Sequence, residues 1–382
     1  MHIYRRILKK VETSFFLFGL RGTGKSTWCR EHYGQAMWVN LLDESIYQEL
    51  LADPALFGLK LATLERGSWV VVDEVQRLPS LLNAVHRFIE ERGLRFVLTG
   101  SSTRKLKRAG VNLLAGRAIP KYLFPFTPWE LESDFDIYKT LQLGALPIVL
   151  ANPDPLAALK AYVQLYLKEE IQSEALVRNL PGFARFLPIA ALFNASVCNM
   201  TSMSRDAGIG RSTVSDYFSI LEDTHMGFFL PGFEPELRVR ERASPKWMWA
   251  DPGLVRTLKK KFGPIQDEEK GTLFESWLIA TVRAWNSYQN EPWHTMAYWA
   301  SLEAKDIEVD LILEGETGIT AVEIKASERF RPEMLKGLRT IAALKRVKHR
   351  VLVYLGSHEL QTEDGIRVLP VATFLQRISE FV

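Results

Sequence analysis

Cysteine is nearly absent from this sequence: Cys29 and Cys198 are the two it has in 382 residues, with no CxxC pair and no histidine cluster nearby. That scarcity excludes a disulfide framework and a zinc-ligand array, and it fits a reducing cytosol. Long apolar runs are missing too. None reaches the ~18–20 residues a membrane helix needs, and the stretch Phe186–Val197 is broken by Pro188 and Asn194. The basic start, Met1 to Lys10, lacks the apolar core and cleavage site of a signal peptide. Neither sign of charge dominates. With 48 Lys+Arg against 45 Asp+Glu the net charge is +3, so only local clustering can argue for a nucleic-acid partner. No internal repeat or low-complexity tract occurs. The remainder, 47% hydrophobic and 24% charged, is ordinary for a globular protein long enough to bury a substantial core, which excludes disorder over most of the chain.

The chain divides into three parts. Over residues 1–150 short apolar runs of β type (Phe15–Phe18, Ala36–Leu41, Trp69–Val72, Arg95–Leu98) alternate with amphipathic stretches such as Leu81–Arg92, which predicts a parallel, doubly wound sheet. Aromatics and prolines around Phe124–Trp129, then Gly144-Ala145-Leu146-Pro147, read as the way out of this part. Residues 151–265 read as mostly helical: Ala157–Ile171 and Phe183–Val197 have helical spacing, and Ser202–Leu221 reads as helix, turn at Gly208–Gly210, helix. Gly227–Ala250 reads as a β-hairpin. Residues 266–382 read as α/β again, with a helix through Phe274–Ala284, strands at His294–Ala300, Glu308–Leu313 and Thr320–Ile324, a helix over Arg331–Leu344 and a strand at Arg350–Leu355.

Chemistry concentrates first at Gly19–Thr27. Gly19-Leu20-Arg21-Gly22-Thr23-Gly24-Lys25-Ser26 matches GxxxxGK[ST] between a predicted strand and a predicted helix. Glycines let backbone N–H groups close around a β-phosphate, and the helix N-terminus adds partial positive charge. Gly19, Arg21, Gly22, Thr23, Gly24, Lys25, Ser26 and Thr27 are therefore candidates for binding ATP, with Lys25 on the β- and γ-phosphates and Ser26 on Mg2+. The strand Trp69–Val72 ends in Asp73-Glu74. Asp73 is placed to hold Mg2+ through water, and Glu74 to polarise the attacking water as general base; the competing reading is a pair of acids at a helix N-terminus. A further strand ends in Thr99-Gly100-Ser101-Ser102, where Thr99 or Ser101 could sense the γ-phosphate or simply form a turn.

These three strand ends resemble AAA+ ATPases of bacteria and archaea. More narrowly, Val72-Asp73-Glu74-Val75-Gln76, Leu98-Thr99-Gly100-Ser101-Ser102 and Leu114-Ala115-Gly116-Arg117 resemble a group that joins an AAA+ module to a winged helix and a restriction-endonuclease-like C-terminal domain. The resemblance covers nearly the whole chain. Leu20, Gly22 and Ser26 depart from the group's usual GPRQxGKT loop while staying compatible with phosphate. The resemblance implies a P-loop AAA+ domain (1–150), a helical and winged-helix domain (151–265) and a PD-(D/E)XK nuclease-like domain (266–382). It also implies an arginine finger at Arg117, acting in cis or from a neighbouring subunit, against the alternative of a surface arginine in a salt bridge. The basic run Arg104, Lys105, Lys107 and Arg108 reads as a solvated helix face or a nucleic-acid contact.

In the middle part, Ser212-Thr213-Val214-Ser215 opens the second helix with small polar residues suited to major-groove approach. Arg238, Arg240, Arg242 and Lys246 would line one strand face against phosphates; the alternative is a module that only packs or binds protein. At the C-terminus, Glu275, Asp310, Glu323 and Lys325 fit the PD-(D/E)XK pattern, with Val309 in place of the usual proline. Residues 323 and 325 share a strand face, so Glu275, Asp310 and Glu323 are expected to hold Mg2+ while Glu323 and Lys325 serve phosphodiester cleavage. The expectation is a cytoplasmic Mg2+-dependent ATPase acting on duplex or branched DNA, without membrane contact. A homo-oligomer, a hexameric ring included, is among the assemblies open to it. The alternatives are a DNA-remodelling motor whose C-terminal domain does not cut, and a nucleotide-switched protein scaffold.

Overall fold

Five parallel strands build the N-terminal part of the computed structural model, which describes residues 4–104, 106, 114, 116–166, 179–233, 244–301, 307–344 and 346–382. β1 (Phe15–Phe18), β2 (Met37–Asn40), β3 (Trp69–Asp73), β4 (Arg95–Gly100) and β5 (Ile119–Tyr122) lie in the order β2-β3-β4-β1-β5. β1 is buried along its whole length, as a strand covered on both faces must be, and its unbroken FFLF run is the consequence. β5 carries Pro120 and forms an edge, where a missing N–H is tolerated. Helices α1 (Lys25–Tyr33), α2 (Glu44–Ala52), α3 (Ala55–Ala62) and α4 (Leu81–Arg92) connect the strands. Asp43 caps α2 by accepting from the backbone N–H groups of Ser45 and Ile46.

The middle part begins with α5 (Pro155–Ala161) and α6 (Leu180–Leu192), then β6 (Ser196–Val197), α7 (Met200–Ala207), α8 (Arg211–Asp223), β7 (Gly227–Leu230) and β8 (Lys246–Trp249). The three strands form one sheet ordered β6-β8-β7. The helix expected over Phe183–Val197 stops at Leu192, because Ala195 turns to φ +55° and the chain enters β6. Pro188 is accommodated inside that helix. Residues 167–171 of the helix expected over Ala157–Ile171 lie outside the described residues.

α9 (Pro252–Leu258) leads into α10 (Asp267–Tyr288), 22 residues long and capped by a Gln266–Glu269 capping box. The C-terminal sheet follows, ordered β13-β14-β12-β11-β10-β9, from β9 (Trp293–Ala300), β10 (Glu308–Gly315), β11 (Ile319–Lys325), β12 (Val347–Tyr354), β13 (Leu360–Gln361) and β14 (Arg367–Pro370). β9, β10 and β11 are antiparallel; β11, β12 and β14 are parallel. The continuous helix expected at Arg331–Leu344 is instead one α-turn, α11 (Lys336–Thr340), between two 3-10 turns.

α10 joins the parts. Its Leu273, Phe274, Trp277 and Leu278 enter a core shared by the middle and C-terminal parts. Its far end delivers Ala284 and Tyr288 to the core under one face of the five-stranded sheet. There the Tyr288 hydroxyl accepts from the Phe124 backbone N–H at 3.1 Å and from Arg6 at 3.1 Å.

Candidate functional site

The loop Gly19–Gly24 leaves the end of β1 and enters α1 through Gly22 and Gly24, at φ +78° and +88°. Only glycine takes those angles without strain, and at Gly22 an added Cβ would stand 2.5 Å from the Ile148 side chain. Lys25 folds back over this loop, donating to the carbonyls of Gly19 at 2.7 Å and Leu20 at 3.3 Å. Thr23 is buried against the Leu20 carbonyl, 2.7 Å from its Oγ1. The ends of β3 and β4 meet the loop as the parallel register requires. Ser26 Oγ donates to Asp73 Oδ2 at 2.8 Å, and Thr99 Oγ1 donates to the other carboxylate oxygen, Oδ1. Thr99 Oγ1 also accepts from the Glu74 backbone N–H at 3.0 Å.

Glu74 stands at φ +59°, which turns its side chain away from the strand direction. Its Oε2 accepts from Ser101 Oγ at 3.1 Å and from Gln76 Nε2. The expectation left Thr99 and Ser101 as alternatives. Each has a carboxylate partner: Thr99 holds Asp73 and Ser101 holds Glu74. Gln76 escaped the sequence reading; it is buried and also donates to Ser101 Oγ at 3.1 Å. A hydroxyl and a carboxylate at 2.8 Å, beside a lysine and a glycine loop, are a donor set that fits Mg2+ and a polyphosphate.

A cavity of about 220 Å3 opens beside α1, lined by Tyr4, Arg6, Thr27, Phe126, Pro147 and Leu150 among others. Phe126, from the segment read as the way out of the first part, is thus a wall of this cavity. Arg6 fastens it: its guanidinium pairs with buried Glu130 at 3.0 Å, donates to the Phe124 carbonyl at 2.5 Å and lies over the Phe126 ring. The loop's outer side is gripped by residues that follow. Ile148 N donates to the Gly22 carbonyl at 3.2 Å and Tyr162 Oη to the Arg21 carbonyl at 3.0 Å. No sequence pattern points to these contacts, since they join segments more than a hundred residues apart.

Arg117 is not brought to this site in cis. It precedes β5, whose Ile119 pairs with Phe15 and Tyr122 with Phe18, so it stands at the opposite end of the sheet from the loop, about 13 Å of strand away. There it pairs with Glu90 of α4. Of the basic run, Arg104 bonds Asp223 at 3.2 Å; Lys105, Lys107 and Arg108 lie outside the described residues, as does Ala115. Arg238, Arg240 and Arg242 lie outside them too.

Lys246 departs from its expected place in a phosphate-facing row. It is buried, with Nζ 3.0 Å from Glu275 Oε1 and 3.4 Å from Glu308 Oε1. β10 and β11 then bring the remaining C-terminal residues together: Lys325 Nζ lies 2.5 Å from Glu323 Oε1 and 3.5 Å from Asp310 Oδ2, while Asp310 accepts from the Ile324 N–H at 2.7 Å. Burial, then the Asp310 charge, raise the carboxyls of both Glu275 and Glu323 to about 8. Burial works against the Lys246 and Lys325 ammoniums, but the carboxylates around them outweigh it and hold both above the usual lysine range. The four expected residues therefore do converge, but as ion pairs. Among the described residues no three His, Cys, Asp or Glu side chains form a group able to hold a metal ion, so the expected Mg2+ set of Glu275, Asp310 and Glu323 does not fit this arrangement. Both cysteines are free and buried, and among the described residues no helix is long and apolar enough to cross a membrane.

Residues 12–132 match the AAA domain family. Together with the five-stranded parallel sheet this supports an AAA-type ATPase at the N-terminus. Residues 135–264 and 270–374 match two domains of unknown function, DUF8612 and DUF4143. The uncharacterized proteins Rv2008c of Mycobacterium tuberculosis and Mb2031c of Mycobacterium bovis are each 23% identical over 335 residues, 85% of this chain and 72% of theirs. Among solved structures, protein VC1899 from Vibrio cholerae aligns over 96% of this chain and 97% of its own at 12% identity and a TM-score of 0.25. The Drosophila ORC structure with AT-rich DNA and Cdc6 aligns over 66% of this chain and 87% of its own at 9% identity and a TM-score of 0.21.

Proposed function

We propose that this chain is a cytoplasmic Mg2+-dependent ATPase whose nucleotide cycle acts on DNA through a winged helix and a nuclease-like C-terminal domain. One observation carries the reading: Ser26 in the first turn of α1 and Asp73 and Thr99 at the ends of β3 and β4 form a hydrogen-bonded line, directly beside the Lys25 loop and Glu74. In this assignment Gly19, Arg21, Gly22, Thr23, Gly24 and Thr27 wrap the phosphates, Lys25 neutralises the β- and γ-phosphates, and Ser26 and Asp73 hold Mg2+. Bound Mg2+ supplies neutralisation of phosphate charge. Glu74 polarises water when released by Gln76 and Ser101, while Thr99 keeps Asp73 oriented. The cavity beside Thr27 takes the nucleoside between Tyr4, Phe126 and Leu150. Arg117 serves a neighbouring copy in a ring.

The domain division is 1–150, 151–265 and 266–382. The order helix, short strand, helix-turn-helix and hairpin, with its sheet ordered β6-β8-β7, supports the winged-helix reading. A long helix, three antiparallel strands, a short helix and a parallel strand support the PD-(D/E)XK-like reading of the last part. α8 keeps Arg211, Ser212, Ser215 and Asp216 exposed at its start, which suits groove contact. A DNA-remodelling motor that does not cut is the second reading, favoured by the lysine-paired state of Glu275, Asp310, Glu323 and Glu308.

The test is phosphate release from ATP with no DNA, linear duplex and branched DNA. The wild type should hydrolyse ATP, faster with one DNA form, and Lys25→Ala should not. Turnover retained in Lys25→Ala overturns the site; a rate indifferent to all DNA forms favours the protein scaffold.

A further inference from the structure

One side chain from the middle part closes the C-terminal cluster. Lys246 opens β8, which is hydrogen-bonded on both sides, to β6 and to β7. Its side chain, 3% exposed, crosses to α10 and β10 and puts its ammonium between Glu275 and Glu308, over the Tyr298 ring at 5.2 Å. Lys325 covers Glu323 and Asp310. Four carboxylates thus face two ammoniums. Buried Glu323 keeps one oxygen, Oε2, with no hydrogen-bond partner among the described residues, so the cluster retains an unused acceptor.

We propose that Lys246 is a built-in cation that closes this cluster to divalent metal ions as long as β8 is seated against α10. The position of the middle part then decides whether the C-terminal cluster can take a metal ion at all. The physical grounds are competition and repulsion. An ammonium 3.0 Å from Glu275 Oε1 occupies the space a dication would need to touch the same oxygen at about 2.0–2.6 Å. A second cation beside the buried Lys246–Glu275 pair is also repelled, since little solvent screens it there. With Lys246 in place no three of these carboxylates converge; its withdrawal frees Glu275 and Glu308 to close on the space the ammonium held, beside Asp310 and the unpartnered Glu323 oxygen, and that convergence is what a divalent ion needs.

The inference rests on the non-cutting reading of the C-terminal part and not on nucleotide turnover, which the Lys25→Ala comparison tests separately. The experiment is Mn2+ titration of the full chain followed by electron paramagnetic resonance, in four forms: wild type, Glu275→Gln, Lys246→Met, and the two combined. Subtracting the Glu275→Gln isotherm removes ions bound elsewhere, including at Ser26 and Asp73. Wild type and Glu275→Gln should coincide. Lys246→Met should take up one extra Mn2+ per chain, at least tenfold tighter than any Glu275-dependent uptake by the wild type, and the double variant should lose it. Its urea midpoint should rise on adding Mn2+. Glu275-dependent uptake by the wild type overturns the proposal, as does a folded Lys246→Met that gains no ion. Should Lys246→Met not fold, the wild type and Glu275→Gln pair still decides, with Lys246→Gln as the second neutral variant.

Discussion

Thr99 does two jobs with one hydroxyl: it donates to buried Asp73 and accepts from the N–H of half-buried Glu74. Thr99→Val keeps the volume and strands both groups, at about 1–3 kcal/mol. Turnover should fall roughly 10- to 100-fold while nucleotide affinity, read by fluorescent-nucleotide titration, changes less than about threefold. Glu74→Gln removes the base and should lower the rate by ~10²- to 10⁴-fold with binding intact. Asp251 tests the fold rather than the chemistry. Fully buried, it accepts from the N–H groups of Ala145, Gly253 and Leu254, and burial raises its carboxyl to about 6 against those three bonds. Asp251→Asn turns one acceptor into a donor facing an N–H and should cost about 1–3 kcal/mol in urea unfolding at pH 7. Because the native pKa lies above the unfolded one, the native state binds more protons between them. The wild type should therefore gain stability on this group's account as pH falls from 7 towards 4, and the gap to Asp251→Asn should widen.

At the scale of elements, α10 is the informative one. Its first turns support the C-terminal cluster through Glu275, and its last residue, Tyr288, receives bonds from Arg6 and Phe124 behind the nucleotide cavity. The rise of an α-helix puts those two positions about 20 Å apart along a single rigid rod. Tyr288→Phe should loosen the cavity wall and weaken nucleotide affinity several-fold, measured by calorimetry, without moving Mn2+ behaviour at the other end. The helix-turn-helix makes a different prediction. Val214, Tyr217, Phe218 and Leu221 are buried and hold α8 in place, whereas Arg211 is exposed at its first turn. Arg211→Ala should weaken DNA binding and lower the slope of log affinity against log salt by about one, the signature of a lost phosphate contact.

For the whole molecule the question is how turnover reaches the other parts. The strand that carries Thr99 continues through Ser101 into Thr103 and Arg104, which bond Asp223, the last residue of α8, through backbone and side chain at 3.1–3.2 Å. The nucleotide site and the helix read as facing DNA are therefore tied within a few residues of each other. Asp223→Ala should cut the stimulation of hydrolysis by DNA while the rate without DNA stays within about twofold; phosphate release with and without duplex measures it. Equal loss of both rates would mean that the contact merely supports the fold.

The glycine loop, Asp73-Glu74 and the alternation of strands with helices were legible in order, because each is written within one element or at one strand end, where local conformation and chemistry coincide. Glu275, Asp310, Glu323 and Lys325 lie on three elements and were legible as a set only through the resemblance to the PD-(D/E)XK pattern. The pairing of Lys246 with Glu275, the place of Arg117 at the far end of the sheet, the Gln76 hold on Glu74 and the cavity behind Phe126 came only from the tertiary structure. Each depends on how distant segments pack. Alternation along a strand says which side chains share a face, but only the neighbouring element decides whether that face meets water, phosphate or a buried carboxylate.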